Sequence, residues 1–274
     1  MHWLAATTGL FSFVPAIVTV YDLNVFIHPD RFSLPYRVYL RWMIPLGAKK
    51  AAVLAPMSEK TATDLNRVLG VKRDKMVVVP NPIHEEFRPR SAKEIDSFRA
   101  KYALPPEFWL YVSHYYPHKN HERLFKAYAR LKESDRGAWP LVLRGEKNGA
   151  DALLAGWTKD AGIEQDVIWL PRLAVGEMPV LFSAATALVF PSLYEGGGIP
   201  VMEAMSCGCP VAASDIPTTR EFAGRGPIRS GRPRFDHRDH ARTDGFQQSA
   251  AVPQRARTSE GPRAQPGPDC GKTY

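Results

Sequence analysis

Eight short runs of consecutive apolar residues set the fold class of this chain. They are AIVTV (16–20), AVLA (52–55), MVVV (76–79), FWLYVS (108–113), LVLR (141–144), VIWL (167–170), ALVF (187–190) and PVAA (210–213). Each is too short for a helix, and few alternate apolar with polar residues as a strand with one wet face would. They read as strands covered on both sides. Stretches of helical spacing lie between them, near 35–50, 59–69, 91–102, 120–134, 149–161, 176–185 and 199–207. Strands that alternate with crossover helices specify an α/β fold built on parallel sheets. The Pro-rich and charged segment PNPIHEEFRPRS (80–91) divides the alternation into two blocks and reads as a crossover between domains. The first block offers about three strands, too few for a complete doubly wound domain, and the second offers five. The expected division is therefore 1–88, 89–224 and a distinct tail, 225–274.

That tail changes character abruptly. From Arg225 onward there is no Leu, Met or Trp, and nine Arg and one Lys face five acidic residues. So few apolar residues cannot offset the entropy of ordering the chain, and disorder is the expectation. A break of this kind, just after a segment that ordinarily continues into further α/β units, is what an out-of-frame or truncated continuation would produce. The tail also carries five of the net +8 charges (nine plus one, less five), which leaves the rest only mildly basic. No stripe of Lys and Arg with interleaved aromatics appears, so the charge does not indicate a nucleic-acid partner. Cys207 and Cys209 are spaced too tightly for a zinc pair or a redox dithiol and read as small buried side chains. With Cys270 they make three cysteines, a usage that suits a reducing, cytoplasmic setting. At the amino end, PAIVTVYD (15–22) reads as a buried strand entering a loop rather than a membrane anchor.

Two stretches carry chemistry. In YEGGGIPVMEAM (194–205) the acids Glu195 and Glu203 flank three glycines and a proline, at the carboxyl end of the ALVF strand. Glycines admit a ligand to the backbone N–H groups, the helix opened by Ile199–Pro200 offers an anion site, and carboxylates accept from sugar hydroxyls. A glycine turn followed by a helix-favouring acid accounts for the same residues. In YVSHYYPHKNHERL (111–124) a strand ends near Ser113 and a loop carries His114 and Lys119. A lone loop lysine is ordinarily solvated. Its place at the same sheet edge as the glycine loop favours a phosphate partner.

The segment YEGGGIPVMEAMSCGCPVAASDIPTTREFAG resembles the donor-site motif of the family 4 retaining nucleotide-sugar glycosyltransferases, the glycosyl transferases group 1, whose pattern runs E-G-F-G-L-P-x-x-E-A-M-A-x-G-x-P-V. HYYPHKNHERL resembles the family's diphosphate segment, VVPNPIHEEF its interdomain segment, and VTVYDLNVFIHPDRFS its amino-domain strand and loop, over residues 15–224 in all. The resemblance implies a GT-B fold of two Rossmann-like domains, here with an incomplete amino-terminal acceptor side. It implies transfer of a hexosyl group from a GDP- or UDP-sugar to a glycan or lipid-linked acceptor, with retention, without cofactor or metal. A lipid-linked acceptor makes peripheral membrane association compatible with this reading. Carried over, Glu195 and Lys119 would be catalytic, Glu195 on the donor sugar and Lys119 neutralising the departing diphosphate. Glu203 would hold the ribose, and Gly197, Gly198, Ile199, His114 and Tyr21 would complete the donor site.

The chain departs from the family pattern at three of these places. His114 stands where an Arg is frequent, Gly197 where an aromatic separates the glycines, and Tyr21 where a His precedes Asp22. The family's first strand and glycine loop would precede Met1 and its closing helices would follow Gly224, so weak nucleotide binding with little turnover is expected of this chain. A sugar-nucleotide epimerase and a non-catalytic interaction protein with a basic tail are the alternatives.

Overall fold

The computed structural model describes residues 2–3, 15–134, 139–223 and 234–235. Two parallel sheets organise it. The first has three strands in the order β1 (His2–Trp3), β2 (Ile17–Val20), β3 (Val53–Pro56), with Ile17 opposite Val53 and Val20 opposite Pro56. Helices α1 (Asn24–Ile27) and α2 (Leu34–Lys50) connect β2 to β3, and α3 (Glu59–Leu69) follows. Val18, Val20, Leu23, Ile44, Leu54 and Leu65 form its core. Ser58 caps α3 by accepting from the Thr61 N–H, and Gly70 closes it in the left-handed conformation that glycine adopts without strain.

The MVVV run differs from expectation. It lies beside β3, donating from Val77 to the Leu54 carbonyl and from Val79 to the Pro56 carbonyl, yet only Met76 forms a bridge, with Leu54. The return bond of a parallel ladder would need an N–H at Pro56, which proline lacks. Hence the fourth strand of this sheet does not form.

The second sheet has six strands in the order β6-β5-β4-β7-β8-β9, all parallel. Its elements in chain order are α4 (Ala92–Tyr102), β4 (Trp109–Val112), α5 (His121–Glu133), β5 (Leu141–Arg144), α6 (Asp151–Asp160), β6 (Val167–Leu170), α7 (Glu177–Ala184), β7 (Ala187–Phe190), α8 (Ile199–Ser206), β8 (Val211–Ser214), α9 (Pro217–Ala223) and β9 (Arg234–Phe235). Ser91 and Glu94 form a reciprocal capping box at the start of α4. Successive residues of a strand face opposite sides. Accordingly Leu110 and Val142 pack with Phe182, Leu188 and Phe190 on one face, while Tyr111, Leu141 and Leu143 pack with Phe125 and Leu154 on the other. Both faces are covered, as the continuous apolar runs require.

The order reverses between β4 and β7. In a doubly wound sheet the crevice at that reversal, at the strands' carboxyl ends, is where ligands bind. The expected strands and helices are otherwise present, with bounds shifted by a residue or two. Cys207 and Cys209 are buried free thiols at the end of α8, as read from their setting. Burial pushes the Cys207 thiol up to about 11 and the Cys209 thiol to about 12. The expectation of disorder in 225–274 falls outside the described residues, apart from Arg234–Phe235, which pair with β8 as β9. Cys270 is likewise outside them. Among the described residues no helix is long and apolar enough to cross a membrane.

Candidate functional site

The two loops at the reversal are stitched together. After β4 the chain turns through Pro117–Lys119 into α5, with Asn120 in the left-handed region that asparagine tolerates. After β7 it runs through Pro191–Gly198 into α8. The Leu193 N–H donates to the His118 carbonyl at 2.8 Å, and Asn120 Nδ2 donates to the Pro191 carbonyl at 3.0 Å. Tyr111, buried beneath, donates its hydroxyl to the Lys119 carbonyl at 2.8 Å. Lys119 Nζ then reaches Glu195 Oε1 at 2.7 Å, with side-chain exposures of 16% and 8%. The same ammonium stands 5.5 Å from the Phe190 ring centre, a further attraction for a cation.

The first sheet contributes the opposite wall. Ser58 donates its hydroxyl to the Gly196 carbonyl at 2.7 Å, while from the second sheet's own side Thr218 of α9 donates to the Glu195 carbonyl at 2.7 Å. The backbones touch: a methyl at Gly196 would stand 2.3 Å from the Tyr21 carbonyl oxygen and 2.8 Å from Asp22 Cβ. This is a position where only glycine fits. Tyr194 donates its hydroxyl to Asp64, and the Glu59 N–H donates to Glu221, so α3 meets the glycine loop and α9 along a polar seam.

These contacts place the sequence-predicted residues. Glu195 and Lys119 are paired at the centre. Gly197 and Gly198 are buried, and a side chain at Gly197 would meet Met57 Cε at 2.9 Å. Met57 thus takes the space that a side chain at this position would first enter. Ile199 is half-buried at the first turn of α8, whose N–H groups point toward the loop. Glu203, half-buried one turn further on, is not brought to Lys119. Burial chiefly, and Glu86 of the interdomain segment secondarily, push its carboxyl up to about 7. His114 is on the rim, accepting from the Glu146 N–H at 2.9 Å through Nδ1. A donor to that nitrogen fixes the acceptor there, so Nε2 carries the ring proton of the neutral form. Tyr21 enters through its backbone, its carbonyl accepting from Thr61 Oγ1 at 3.3 Å, while the residue as a whole is 42% exposed.

Sequence reasoning missed several neighbours. Asp22 is half-buried just past the carboxyl end of β2. Its carboxyl is raised mainly by burial and also by Glu195, against the lowering effects of its bond from the Asn24 N–H and of Lys119. A weak signal existed, since Asp22 belongs to the pair read as Tyr21–Asp22. Ser58, Met57 and Thr218 carry no signal of this role, because they act through contacts distant in sequence. His121 is held well below its ordinary range, at about 4, by burial and then by Lys119. An open cleft of about 370 Å³ adjoins the site at the ends of β5 and β6, lined by Arg144, Gly145, Lys147, Asn148 and Arg172 among others.

Chemically, an ammonium and a helix amino terminus converge with backbone donors at a switch point, which suits an anion such as a diphosphate. Carboxylates beside them suit hydroxyls.

Comparison with known proteins agrees with this geometry. A family model described as glycosyl transferases group 1 matches residues 93–229, which is 137 of 274 residues. O-antigen chain mannosyltransferase B of Escherichia coli is 28% identical over 210 residues, covering 76% of this chain and 55% of that protein. O-antigen chain mannosyltransferase RfbU of Salmonella typhimurium is 26% identical over 212 residues, covering 77% and 55%. The chain therefore spans little more than half the length of these relatives. The crystal structure of Anabaena HepE in complex with UDP and glucose shares the fold, with a TM-score of 0.65 at 21% identity, over 81% of this chain and 57% of that one.

Proposed function

This chain belongs to the glycosyl transferases group 1 family, and on that premise we propose that it is a retaining hexosyltransferase that uses a nucleotide-diphosphate sugar. Residues 89–224 hold the donor in this reading, and residues 1–88 form part of the acceptor side. The acceptor is a glycan or a lipid-linked saccharide, and the donor is a GDP- or UDP-sugar met in the cytoplasm. The relatives named above, two of them O-antigen mannosyltransferases and one a protein seen with UDP and glucose, support the reaction class.

The observation that carries the reading is the Lys119–Glu195 pair at the reversal of the six-stranded sheet, beside a glycine loop that opens α8. Breaking the bond from the sugar to the diphosphate leaves negative charge on the departing oxygen and positive charge on the sugar ring. Lys119 and the amino end of α8 stabilise the first, as preorganised donors that need not reorient. Glu195, released from Lys119 as the phosphate takes its place, accepts from a sugar hydroxyl. Glu203 accepts from the ribose hydroxyls, most strongly when ionised. Hydroxyls that donate to it favour its carboxylate form, against the burial that raises it. His114 donates from Nε2 at the rim, Gly197, Gly198 and Ile199 offer backbone groups, and Tyr21 borders the sugar from the opposite wall. Together these groups perform the charge stabilisation without a metal.

The test is product analysis with donor alone and with donor plus saccharide acceptors. Transfer with the anomeric configuration kept, at the low turnover expected of this chain and lost in Glu195→Ala, supports the proposal. An epimerised sugar nucleotide formed with donor alone, or release of nucleotide that Glu195→Ala leaves unchanged, refutes it.

A further inference from the structure

Tyr194 and Glu195 are neighbours in the chain whose side chains serve different halves of the molecule. Glu195 turns to Lys119, at the reversal of the second sheet. Tyr194, only 7% exposed, is sunk among residues that surround the first. Its ring meets the His28 ring edge-on, with centres 5.5 Å apart, and lies 5.0 Å from the Lys60 ammonium. Its hydroxyl donates to Asp64 Oδ2 of α3 at 3.3 Å, and the Leu23 N–H stands beside that hydroxyl. Burial, then Asp22 and Asp64, hold the hydroxyl well above its ordinary range, so it remains a donor throughout the neutral region.

Asp64 is the fixed end of this contact. It is 1% exposed and tied at both oxygens within its own helix, with Lys60 Nζ on Oδ2 and Arg67 at 3.4 Å from Oδ1. The loop that carries Glu195 is the compliant end, since the three residues after it are glycines that restrict the backbone least. Glu195 is bracketed accordingly. Tyr194 before it is held by Asp64, and Gly196 after it lies against Tyr21 and accepts from Ser58. Lys119 is held differently, by Tyr111 and by the loop bonds of His118 and Asn120, all within the second sheet's own layer. The carboxylate and the ammonium of one pair therefore take their positions from different sheets.

We propose that Asp64 is a positioning residue for Glu195, acting through the Tyr194 hydroxyl, so that α3 sets the hold of the site on the donor sugar and leaves its hold on the diphosphate unaffected. The inference rests on the proposed function, in which Glu195 accepts from a hydroxyl of that sugar.

The experiment is calorimetric titration of the full chain with UDP and UDP-glucose, and with GDP and GDP-mannose. Within each pair the ratio of dissociation constants reads the sugar contact alone. Tyr194→Phe keeps the ring and removes the donor. Asp64→Ala removes the acceptor, whereas Asp64→Asn keeps an acceptor for the hydroxyl while ending both ion pairs. These three, the double variant Tyr194→Phe/Asp64→Ala and Glu195→Ala are compared, with a urea midpoint measured for each. In the pair that the parent binds, Tyr194→Phe and Asp64→Ala should each lower the preference for the sugar nucleotide about fivefold, with the diphosphate itself bound within about twofold of the parent. The double variant should lose no more than either single change, because both break one contact. Asp64→Asn should keep the preference even though, like Asp64→Ala, it unfolds at lower urea. Should Asp64→Ala fail to fold, Tyr194→Phe against Asp64→Asn makes the same comparison. A preference unchanged in Tyr194→Phe, or one that follows the urea midpoint so that Asp64→Asn resembles Asp64→Ala, marks a merely structural contact and overturns the inference. A preference lost in Glu195→Ala alone does the same and leaves the donor-site reading standing. A parent that binds no diphosphate, or binds one without preferring its sugar nucleotide, refutes that reading and the inference with it.

Discussion

Substituting Lys119 tests the centre of the site through stability alone. Its ammonium, 16% exposed, pairs with the 8% exposed Glu195, and Asp22 lies close enough for its carboxyl to feel both. Lys119→Met leaves two carboxylates together in a site mostly shielded from water. Removing one partner of a buried pair costs about 3–5 kcal/mol, and the residual access of solvent here places the cost near the lower end, about 3 kcal/mol. Glu195→Gln leaves a different remainder. The ammonium keeps the Phe190 ring at 5.5 Å and the Asp22 carboxylate, so about half that cost is expected. The double variant should then be more stable than the sum of the two by about 1–2 kcal/mol, because each single change already removes the pair. Urea unfolding followed by tryptophan emission reads this directly, since Trp109, Trp139, Trp157 and Trp169 all lie among the elements of the second sheet. A loss of about 3 kcal/mol moves the midpoint by roughly 1 M or more. Additivity within about 0.5 kcal/mol, or a Lys119→Met midpoint equal to that of the parent, would refute the argument.

Other consequences follow from the same contacts. Gly196→Ala sets a methyl against the Tyr21 backbone and should cost about 2–3 kcal/mol, whereas Gly197→Ala meets only the tip of Met57 and should cost under about 1 kcal/mol; paired thermal melts distinguish the two, and equal losses contradict the packing described. Glu203 binds its proton more tightly folded than unfolded, so its contribution to stability is fully present below pH 4.5 and is lost as pH rises toward 7. Glu203→Gln should remove that decline from a pH series of melting temperatures, and an unchanged slope would assign the decline elsewhere. Cys207 and Cys209, buried with raised thiols, should resist alkylation at pH 8 until the chain unfolds, as mass spectrometry of the labelled peptides would show.

Much of this was legible in the residues. Strand and helix identities were readable because a parallel sheet covered on both faces requires unbroken apolar runs, such as LVLR and ALVF. The MVVV run failed because its fate depends on the missing N–H of Pro56 in a neighbouring strand, which no local pattern reports. The helices α1 and α9 escaped because four and seven residues are too few to show a period. In the candidate site, strand ends and backbone demands marked Glu195, Lys119 and the glycines as candidates, and only the family resemblance gave them roles. Ser58, Thr218 and Met57 were not, since each meets the glycine loop from a segment remote in sequence. Glu203 was read correctly as an acid of α8, but its environment, with Glu86 rather than a cation for company, emerges only from the fold.

The central claim is that Lys119 and the glycine loop form a nucleoside-diphosphate site. Its most direct measurement is a thermal-shift titration of the full chain with UDP, GDP and ADP, run beside Lys119→Met. One of these diphosphates should stabilise the parent saturably, by about 2.7 kcal/mol at a hundred times its dissociation constant, and should stabilise Lys119→Met far less. No saturable shift with any of the three, or an equal shift in Lys119→Met, would contradict the account.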